Sequence, residues 1–370
     1  HEDMTKTVVV IPGEDAAPEA VTASVALVDS MGLPIRWAYP PVGEGAGAEH
    51  GDTFPEVARR AIDDADATLF GATSGPSARA LFYLRWGKCT YANVRPVRWS
   101  PGLRSPLADP SGIDLVIVRE NLEDLYLFAE GNLADLAPLG LFSVTAGVPV
   151  HELGEGRFAI KAITRRGSER VVRYAFELAR RRRDSGRPGR VTLGAKTNML
   201  PQTDGLFRDV GREVARDYSD VVFETLIIDD LAYRLTAMPA SFDVLVMPNL
   251  YGDILSDAAA GLVGGLGLAP SGCYGDDYAY FESAHGTAPD LTGLHIINPT
   301  ATLLSAAMML EYLGFNAAAD ALQAAVRRTF AEGLTLTPDQ GGRATTEEFC
   351  AAVGVHLGGA SRRREPAPRG

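Results

Sequence analysis

Short runs of β-branched residues alternate with longer stretches rich in alanine, leucine and arginine along the chain. The short runs predict strands at residues 7–11, 68–70, 115–118, 191–193, 221–228 and 244–247. Helical patterns occupy residues 16–31, 168–183, 204–218, 253–263, 300–313 and 317–330. This alternation is typical of α/β proteins, in which helices flank a largely parallel sheet. A chain of 370 residues is long enough for two lobes or one large α/β unit.

Composition excludes several classes of protein. The chain has 35 basic and 47 acidic residues and a net charge of −12, which argues against a broad nucleic-acid-binding face. The cysteines are far apart and form no C-x-x-C pair, so a disulfide framework or a thiolate zinc site is not expected. We expect no membrane span, because no apolar run approaches about 20 residues, and no secretory leader. The predicted location is therefore cytoplasmic.

The glycine-rich segments do not match a common nucleotide loop. Residues 43–47 lie in a polar loop with no strand ahead of them, and residues 265–267 follow a helix. Neither has the strand–loop–helix context of a dinucleotide fingerprint, and the chain has no G-x-x-x-x-G-K-[ST] run. The pattern argues against a Rossmann fold, and any cofactor must be held in another way.

Carboxylates cluster after two predicted strands. Asp253 and Asp257 are four residues apart, so on a helix they share one face and favour a cation between them. The alternative is that Asp253 caps the helix and Asp257 is solvated. Asp229 and Asp230 end another predicted strand, where open α/β sheets bind ligands, although a simple turn also fits.

Basic residues also lie near predicted strand ends. Arg85, Arg95 and Arg119 could converge on a di- or tricarboxylate, since guanidinium groups bind carboxylates through paired hydrogen bonds. Lys196 follows another strand and is a candidate base. Separate surface salt bridges and an exposed lysine are the alternative interpretations.

Together these segments resemble the β-decarboxylating dehydrogenases that act on isocitrate, isopropylmalate, homoisocitrate and tartrate or malate. The matching runs, in family order, are YANVRP (91–96), VREN (118–121), NLYGDILSD (249–257), GLVGGLGLAP (261–270), HGTAPD (285–290) and NPTA (298–301). The resemblance implies a two-domain α/β fold with a mostly parallel sheet flanked by helices. Residues 1–95 with 262–370 would form the large cofactor-side domain. Residues 96–261 would form the small domain, with the dimer interface and, near 131–156, an arm.

The resemblance also assigns roles to individual residues. Arg85, Arg95 and Arg119, with Asn198, would bind the carboxylates of a malate. Asp253 and Asp257 would hold Mg²⁺ or Mn²⁺ in a homodimer whose partner subunit supplies Asp229 and Lys196. Lys196 would help to remove the hydroxyl proton, and Tyr126 would protonate the carbon that loses CO₂. The catalytic residues would thus be Tyr126, Lys196 and Asp229.

The cofactor segment implied by the resemblance is His285, Gly286, Thr287, Ala288, Asp290 and Asn298. A carboxylate at position 290 favours NAD over NADP, because it accepts ribose hydroxyls and repels a 2′-phosphate. Asn298 would contact adenine. The family's first loop usually reads GDGIGPE, whereas here it is GEDAAPE (13–19). Asp15 and Ala17 replace glycines and restrict a backbone that lies near the cofactor.

The segment before Arg85 would contact the substituent on malate, and it matches no standard family pattern. The positions three and four before Arg85 are Phe82 and Leu81, and Arg79 stands six before. Arg79 favours an anionic tail, although a solvated helix residue is the alternative. The prediction is oxidative decarboxylation of an isocitrate-, homoisocitrate- or phosphonomethylmalate-like compound. The alternatives are 3-isopropylmalate, tartrate or D-malate as substrate, or a non-catalytic regulatory subunit.

Overall fold

The computed structural model describes residues 4–361, with side chains described as far as residue 358. The strands, in chain order, are β1 (Lys6–Ile11), β2 (Ile35–Ala38), β3 (Ala67–Phe70), β4 (Ala92–Arg98), β5 (Asp114–Glu120), β6 (Glu130–Asn132), β7 (Phe142–Ser143), β8 (Val148–Pro149), β9 (Arg157–Ala159), β10 (Arg190–Ala195), β11 (Val222–Ile227), β12 (Val244–Met247), β13 (Pro270–Tyr274) and β14 (Ala279–Ser283).

The α-helices follow the predicted alternation with the strands. They are α1 (Ala17–Asp29), α2 (Glu44–His50), α3 (Glu56–Asp64), α4 (Ala78–Phe82), α5 (Arg165–Asp184), α6 (Thr203–Ala215), α7 (Ile228–Ala237), α8 (Asn249–Ala260), α9 (Thr300–Tyr312), α10 (Asn316–Glu332) and α11 (Thr346–Ser361).

One ten-stranded sheet runs through the molecule in the order β11-β10-β12-β5-β4-β13-β14-β3-β1-β2. Six neighbouring pairs are parallel and three are antiparallel, which confirms the predicted mostly parallel α/β fold. The antiparallel pairs all involve β4 or β13 at the centre of the sheet. Because β4 runs against β5, the start of β4 lies beside the carboxyl end of β5, and Asn93 pairs with Arg119.

Buried apolar side chains pack on the faces of the sheet in several clusters. One cluster draws only on residues 97–263, and another only on residues 9–84 and 273–280. The largest cluster combines residues from both segments, including Val8 and Val116. The division at residues 95/96 and 261/262 therefore stays a prediction, and its outermost residues, 1–3 and 362–370, lie outside the described part of the chain.

The segment 131–156, predicted as an arm, forms short antiparallel ladders away from the main sheet. β6 pairs with β9, and β7 pairs with β8. Phe142 and Val144, in and just after β7, expose 59% and 87% of their surface. Apolar side chains this exposed are typical of a surface that another chain covers. Within residues 4–361, no helix is long and apolar enough to cross a membrane.

Candidate active site

The candidate site lies at one edge of the sheet, where β5 and β12 end and β4 begins. Arg119 is the next-to-last residue of β5, and Asn249 begins α8 just after β12. Arg95 lies in β4, which pairs with β5. The carboxyl ends of parallel strands are the usual place for ligands in α/β proteins. The sheet thus brings together residues that are far apart in sequence.

Arg119 is the most deeply buried cation of the site, with 3% of its side chain exposed. Its Nε donates to Oδ1 of Asn249 at 2.8 Å, and its Nη1 donates to Oδ1 of Asp253 at 2.9 Å. Burial, together with repulsion from Arg95 and Arg85, lowers the pKa of Arg119 to about 10. The guanidinium still carries its charge at neutral pH. It is held among other cations in a way that favours an anionic ligand.

Arg85 and Arg95 approach the same place from other elements. Arg85 donates from Nε to the carbonyl oxygen of Asn121 at 2.7 Å and from Nη2 to Oδ1 of Asn249 at 3.3 Å. Arg95 donates from Nη1 to Ser256 at 3.0 Å and to Asp257 at 3.3 Å. The structure therefore brings the three arginines predicted from the sequence together. Several guanidinium groups around one cleft suit a ligand with more than one carboxylate.

Three buried asparagines, whose roles the sequence analysis missed, orient these arginines. Asn249 accepts hydrogen bonds from both Arg119 and Arg85 on one oxygen. Asn93 accepts from Nε of Arg95 and donates to Asn121. All three amides are almost fully buried. Each asparagine lies within a motif on which the family resemblance rests. The only other indication of a role in the sequence is that each is a polar residue in or beside a buried strand.

The two predicted metal carboxylates lie side by side on α8. This helix begins at Asn249, four residues earlier than predicted, so Asp253 belongs to its second turn and does not cap it. Gly252 allows the close approach of α8 to β5, since a Cβ there would lie 2.6 Å from the side chain of Arg119. Burial and the charge of Asp253 raise the pKa of Asp257, against the attraction of Arg95. Burial also opposes ionisation of Asp253, but the attraction of Arg119 and the hydrogen bond from Tyr126 outweigh it and hold that pKa low.

The donor set fits a hard divalent cation that also binds substrate and water. Asp253 and Asp257 supply carboxylate oxygens at the mouth of the arginine cluster, and Mg²⁺ is commonly bound by one or two carboxylates together with its substrate. Among the described residues, no group of three or more His, Cys, Asp or Glu side chains is placed to hold a metal. Asp229 therefore does not join Asp253 and Asp257 within one chain.

Tyr126 and Glu282 are two further titratable residues near the three arginines. The phenol of Tyr126 donates to Oδ2 of Asp253 at 2.6 Å, and burial followed by this contact raises the pKa of Tyr126. The phenol thus keeps its proton at neutral pH. Burial also raises the pKa of Glu282 to about 7, although Arg95, Arg85 and Arg119 attract its ionised form. Glu282 was not predicted from the sequence, and neither was the strand that contains it, β14.

Lys196 and Asp229 form a pair of their own. Lys196 follows β10 and donates from Nζ to Oδ1 of Asp229, in the first turn of α7, at 2.7 Å. This hydrogen bond lowers the pKa of Asp229. Asn198 is exposed in the turn after Lys196. In the described part of the chain, neither Lys196 nor Asp229 has a hydrogen bond or ion pair to Asp253 or Asp257.

The predicted cofactor segment follows β14 and has an unpartnered polar atom. Nε2 of His285 is buried without a hydrogen-bond partner, and burial lowers the pKa of this histidine. Thr287 is buried, whereas Gly286 and Asp290 are exposed. Asn298 donates to Asp339, a further residue missed from the sequence, at 3.1 Å. An imidazole nitrogen free to bond and an exposed carboxylate fit a polar ligand such as a nucleotide.

The altered first loop packs against this segment. Ala16 donates from its backbone to Thr287, and Glu19 accepts from the backbone of Gly293 and His295. Asp15 has a φ of 56°, a left-handed conformation that aspartate tolerates better than most residues. Gly13 lies so close to Ala72 that a Cβ there would meet its carbonyl oxygen at 2.1 Å. The replacements thus leave the loop attached to the predicted cofactor segment.

The segment before Arg85 ends in an irregular turn. α4 spans Ala78–Phe82, and residues Tyr83–Gly87 form a π-helical turn that contains Arg85. Such turns are frequent at functional sites. Arg79 forms an ion pair with Asp52 and is 60% exposed. Phe82 instead contacts Trp86 and Phe128 with its ring.

Comparison with known proteins agrees with this geometry. Residues 7–353 match the family model described as isocitrate/isopropylmalate dehydrogenase. A 3-isopropylmalate/3-methylmalate dehydrogenase of Methanocaldococcus jannaschii is 42% identical over 93% of this chain and 96% of its own length. An isocitrate/homoisocitrate dehydrogenase of Thermus thermophilus is 41% identical over 95% and 98%.

A solved structure gives the same result at the level of the fold. The isocitrate dehydrogenase of Methylococcus capsulatus superimposes with a TM-score of 0.82 at 36% identity and covers 95% of this chain and 99% of its own. Members of this family use NAD(P) and a divalent metal. The chain belongs to the isocitrate/isopropylmalate dehydrogenase family, the NAD(P)-dependent β-decarboxylating dehydrogenases.

Proposed function

We propose that the protein is an NAD- and Mg²⁺- or Mn²⁺-dependent enzyme that oxidatively decarboxylates a 3-substituted malate. The observation that carries the proposal is the clustering of Arg85, Arg95 and Arg119 around Asn249 and the Asp253–Asp257 pair. The arginines would bind the two carboxylates of a malate, and the aspartates would hold a divalent cation that stabilises charge on the C2 oxygen. The similarity to an isopropylmalate dehydrogenase and to an isocitrate/homoisocitrate dehydrogenase supports a substrate that contains a malate core.

The proposed reaction balances without a further co-reactant. Hydride leaves C2 of the hydroxy acid for NAD⁺, and the hydroxyl proton is released. The bond between C3 and its carboxylate then breaks, CO₂ leaves, and C3 takes up a proton. When bound, the metal stabilises negative charge on the C2 oxygen and the nicotinamide accepts the hydride.

The protein's own residues orient the acid and move its protons. The three arginines hold the carboxylates, with their side chains oriented by buried asparagines. Tyr126 stands beside Asp253 with its proton retained, which suits protonation of C3. Lys196 takes the hydroxyl proton. We propose that Lys196 and Asp229 reach this site from the partner subunit of a homodimer, because among the described residues neither contacts Asp253 or Asp257 of its own chain.

The cofactor segment supports NAD over NADP. Asp290 is exposed at the turn after His285, where a carboxylate can accept ribose hydroxyls and would repel a 2′-phosphate. The expected result is a kcat/KM for NAD at least about 10-fold above that for NADP, and Asp290→Ala should reduce this preference. A wild-type enzyme that uses NAD and NADP equally well, or an NAD preference that is unchanged in Asp290→Ala, would contradict the assignment.

The proposal is tested by NADH release from a panel of malates with and without EDTA. Activity should require Mg²⁺ or Mn²⁺, and Asp253→Asn should lower kcat/KM by about 100-fold or more, since metal stabilisation of charge is worth several kcal/mol. Asp209→Asn, on the exposed face of α6, is the matched control and should behave as wild type. Unchanged turnover in Asp253→Asn would overturn the proposal.

The sequence predicts an anionic tail contacted by Arg79, and that remains a prediction. In the structure this guanidinium is paired with Asp52. The aromatic surroundings of Phe82 favour a different substituent.

A further inference from the structure

A groove lined by aromatic side chains lies directly beside the arginine cluster. It is an open groove of about 370 Å³, lined by Phe82, Trp86, Leu122, Tyr126, Leu127 and Phe128. Tyr126 belongs to both places, because its ring lines the groove while its hydroxyl contacts Asp253. A substrate held by the arginines therefore has this groove as a neighbour.

Three rings of the groove contact one another. The ring centres of Phe82 and Trp86 are 5.4 Å apart, those of Trp86 and Phe128 are 5.7 Å apart, and those of Phe82 and Phe128 are 5.8 Å apart. Phe82 and Phe128 nevertheless expose 47% and 70% of their surface. Edge-on and tilted aromatic contacts of this kind favour a further ring placed against them.

The backbone is shaped to present these rings. Trp86 belongs to the π-helical turn that also carries Arg85, and the Arg85 guanidinium lies 4.8 Å from the centre of its ring. The indole nitrogen donates to the carbonyl oxygen of Leu122 at 3.1 Å. Phe128 has a φ of 57°, a conformation that a bulky side chain rarely adopts. Strained residues of this kind cluster at ligand sites.

The side chains that line the groove offer no charge of their own to an anionic substituent. None of the residues that line the groove is ionised at neutral pH. Arg79, three residues before Phe82, is held by Asp52. Arg85 is engaged by Asn121 and Asn249 on the polar side. An apolar substituent would leave no buried charge unpaired.

The size of the groove favours a ring over a small branched group. A cavity of about 150 Å³ lined by apolar side chains can bind benzene, so the groove has room for an aryl group and a connecting methylene. We propose that this groove binds an aryl or arylalkyl substituent on C3 of the malate. The inference rests on the proposed function and narrows its substrate class to aromatic tails.

The test compares 3-benzylmalate, 3-isopropylmalate, isocitrate and unsubstituted malate as substrates of the full chain with NAD and Mg²⁺. The expected kcat/KM for 3-benzylmalate is at least about 10-fold above the others, because even one methylene in an apolar pocket changes the rate by about 10-fold or more. If isocitrate or 3-isopropylmalate is turned over as well as 3-benzylmalate, the aromatic tail is wrong and the proposed function stands. If no malate is oxidised, both fail.

A single substitution distinguishes a loss of selectivity in the groove from general damage to the fold. Phe128→Gly removes one ring at a position whose φ suits glycine, so the fold should tolerate it. The 3-benzylmalate to 3-isopropylmalate ratio of kcat/KM should fall by about 10-fold, and calorimetric binding of 3-benzylmalate should weaken in parallel. Tyr39→Ala, another exposed aromatic, should leave both unchanged. An unaltered ratio in Phe128→Gly, with its thermal midpoint preserved, would overturn the inference.

Discussion

The hydroxyl of Tyr126 lies 2.6 Å from Oδ2 of Asp253 and donates a hydrogen bond to it. The other oxygen of the same carboxylate accepts from Arg119. One aspartate therefore links the proposed proton donor to the most buried cation of the site. Burial and this contact raise the pKa of Tyr126, so the phenol keeps the proton that the proposed reaction requires.

Tyr126→Phe should lower kcat by about 100-fold or more with little change in KM, because general acid catalysis typically contributes about 10²–10⁴-fold. Steady-state NADH release with the best malate of the panel measures the effect. The thermal midpoint should move little, since only one hydroxyl is lost. Tyr39→Phe serves as the control, and a Tyr126→Phe enzyme with wild-type kcat would remove this residue from the mechanism.

Glu282 should make the fold less stable as the pH rises. Its pKa is raised from 4.5 to about 7 by burial, so between these values the unfolded chain loses a proton that the folded chain retains. Stability therefore falls from about pH 4.5 to about pH 7 and is then level. Glu282→Gln should remove this contribution, on the order of 1–3 kcal/mol.

Urea unfolding of Glu282→Gln and wild type at pH 5 and pH 7.5 measures this change. The variant should gain stability relative to wild type at the higher pH. A stability difference that is the same at both pH values would show that Glu282 titrates normally in the folded protein.

Lys161 lies between two fully buried carboxylates, with Nζ at 3.0 Å from Asp124 and 3.1 Å from Asp204. Lys161→Met should cost about 3–5 kcal/mol, because removing one partner of a buried ion pair leaves uncompensated charge. Lys88→Met, which breaks a partly exposed pair with Asp63, is the matched control and should cost about 0–1 kcal/mol. Chemical denaturation measures both, and equal losses would contradict the predicted role of burial.

Two inactive variants should complement each other if the active site is shared between subunits. Lys196→Ala and Asp253→Asn chains, mixed by unfolding and refolding together, form hybrid dimers in which one site has both residues intact. The mixture should recover about a quarter of wild-type activity, because about half of the dimers are hybrids with one working site. Each variant refolded alone is the control. No recovery in a mixture shown to contain hybrids would place Lys196 in the site of its own chain.

Most strands that pair in parallel were predicted from the sequence, but β2 and β14 were not, and neither were β4 and β13 at the antiparallel centre. β1, β5, β10 and β12 are short β-branched runs, and all four were predicted. β4 contains Arg95 and Pro96, and β13 begins with Pro270, so their composition does not resemble a buried strand. Pairing with neighbouring strands stabilises β4 and β13 despite their low intrinsic strand propensity. A single sequence does not reveal that pairing.

The charged residues of the candidate site could be predicted from the sequence, but their arrangement could not. Charges at the ends of apolar runs made Asp253, Asp257 and the arginines candidates, and the family resemblance assigned their roles. The sequence did not indicate the role of Asn249, whose single oxygen joins Arg85 to Arg119. It also did not identify Phe128, because nothing in the local sequence predicts its left-handed backbone.

The irregular turn at Tyr83–Gly87 has a practical consequence for redesign. Arg85 and Trp86 are neighbours in this one turn, so the proposed binding of the acid and the proposed selection of its side group depend on the same backbone. Changing the turn to admit another side group would move the anchor as well. Phe128 lies on a separate loop. It is therefore the position at which a substitution can change the preference for the side group without moving Arg85.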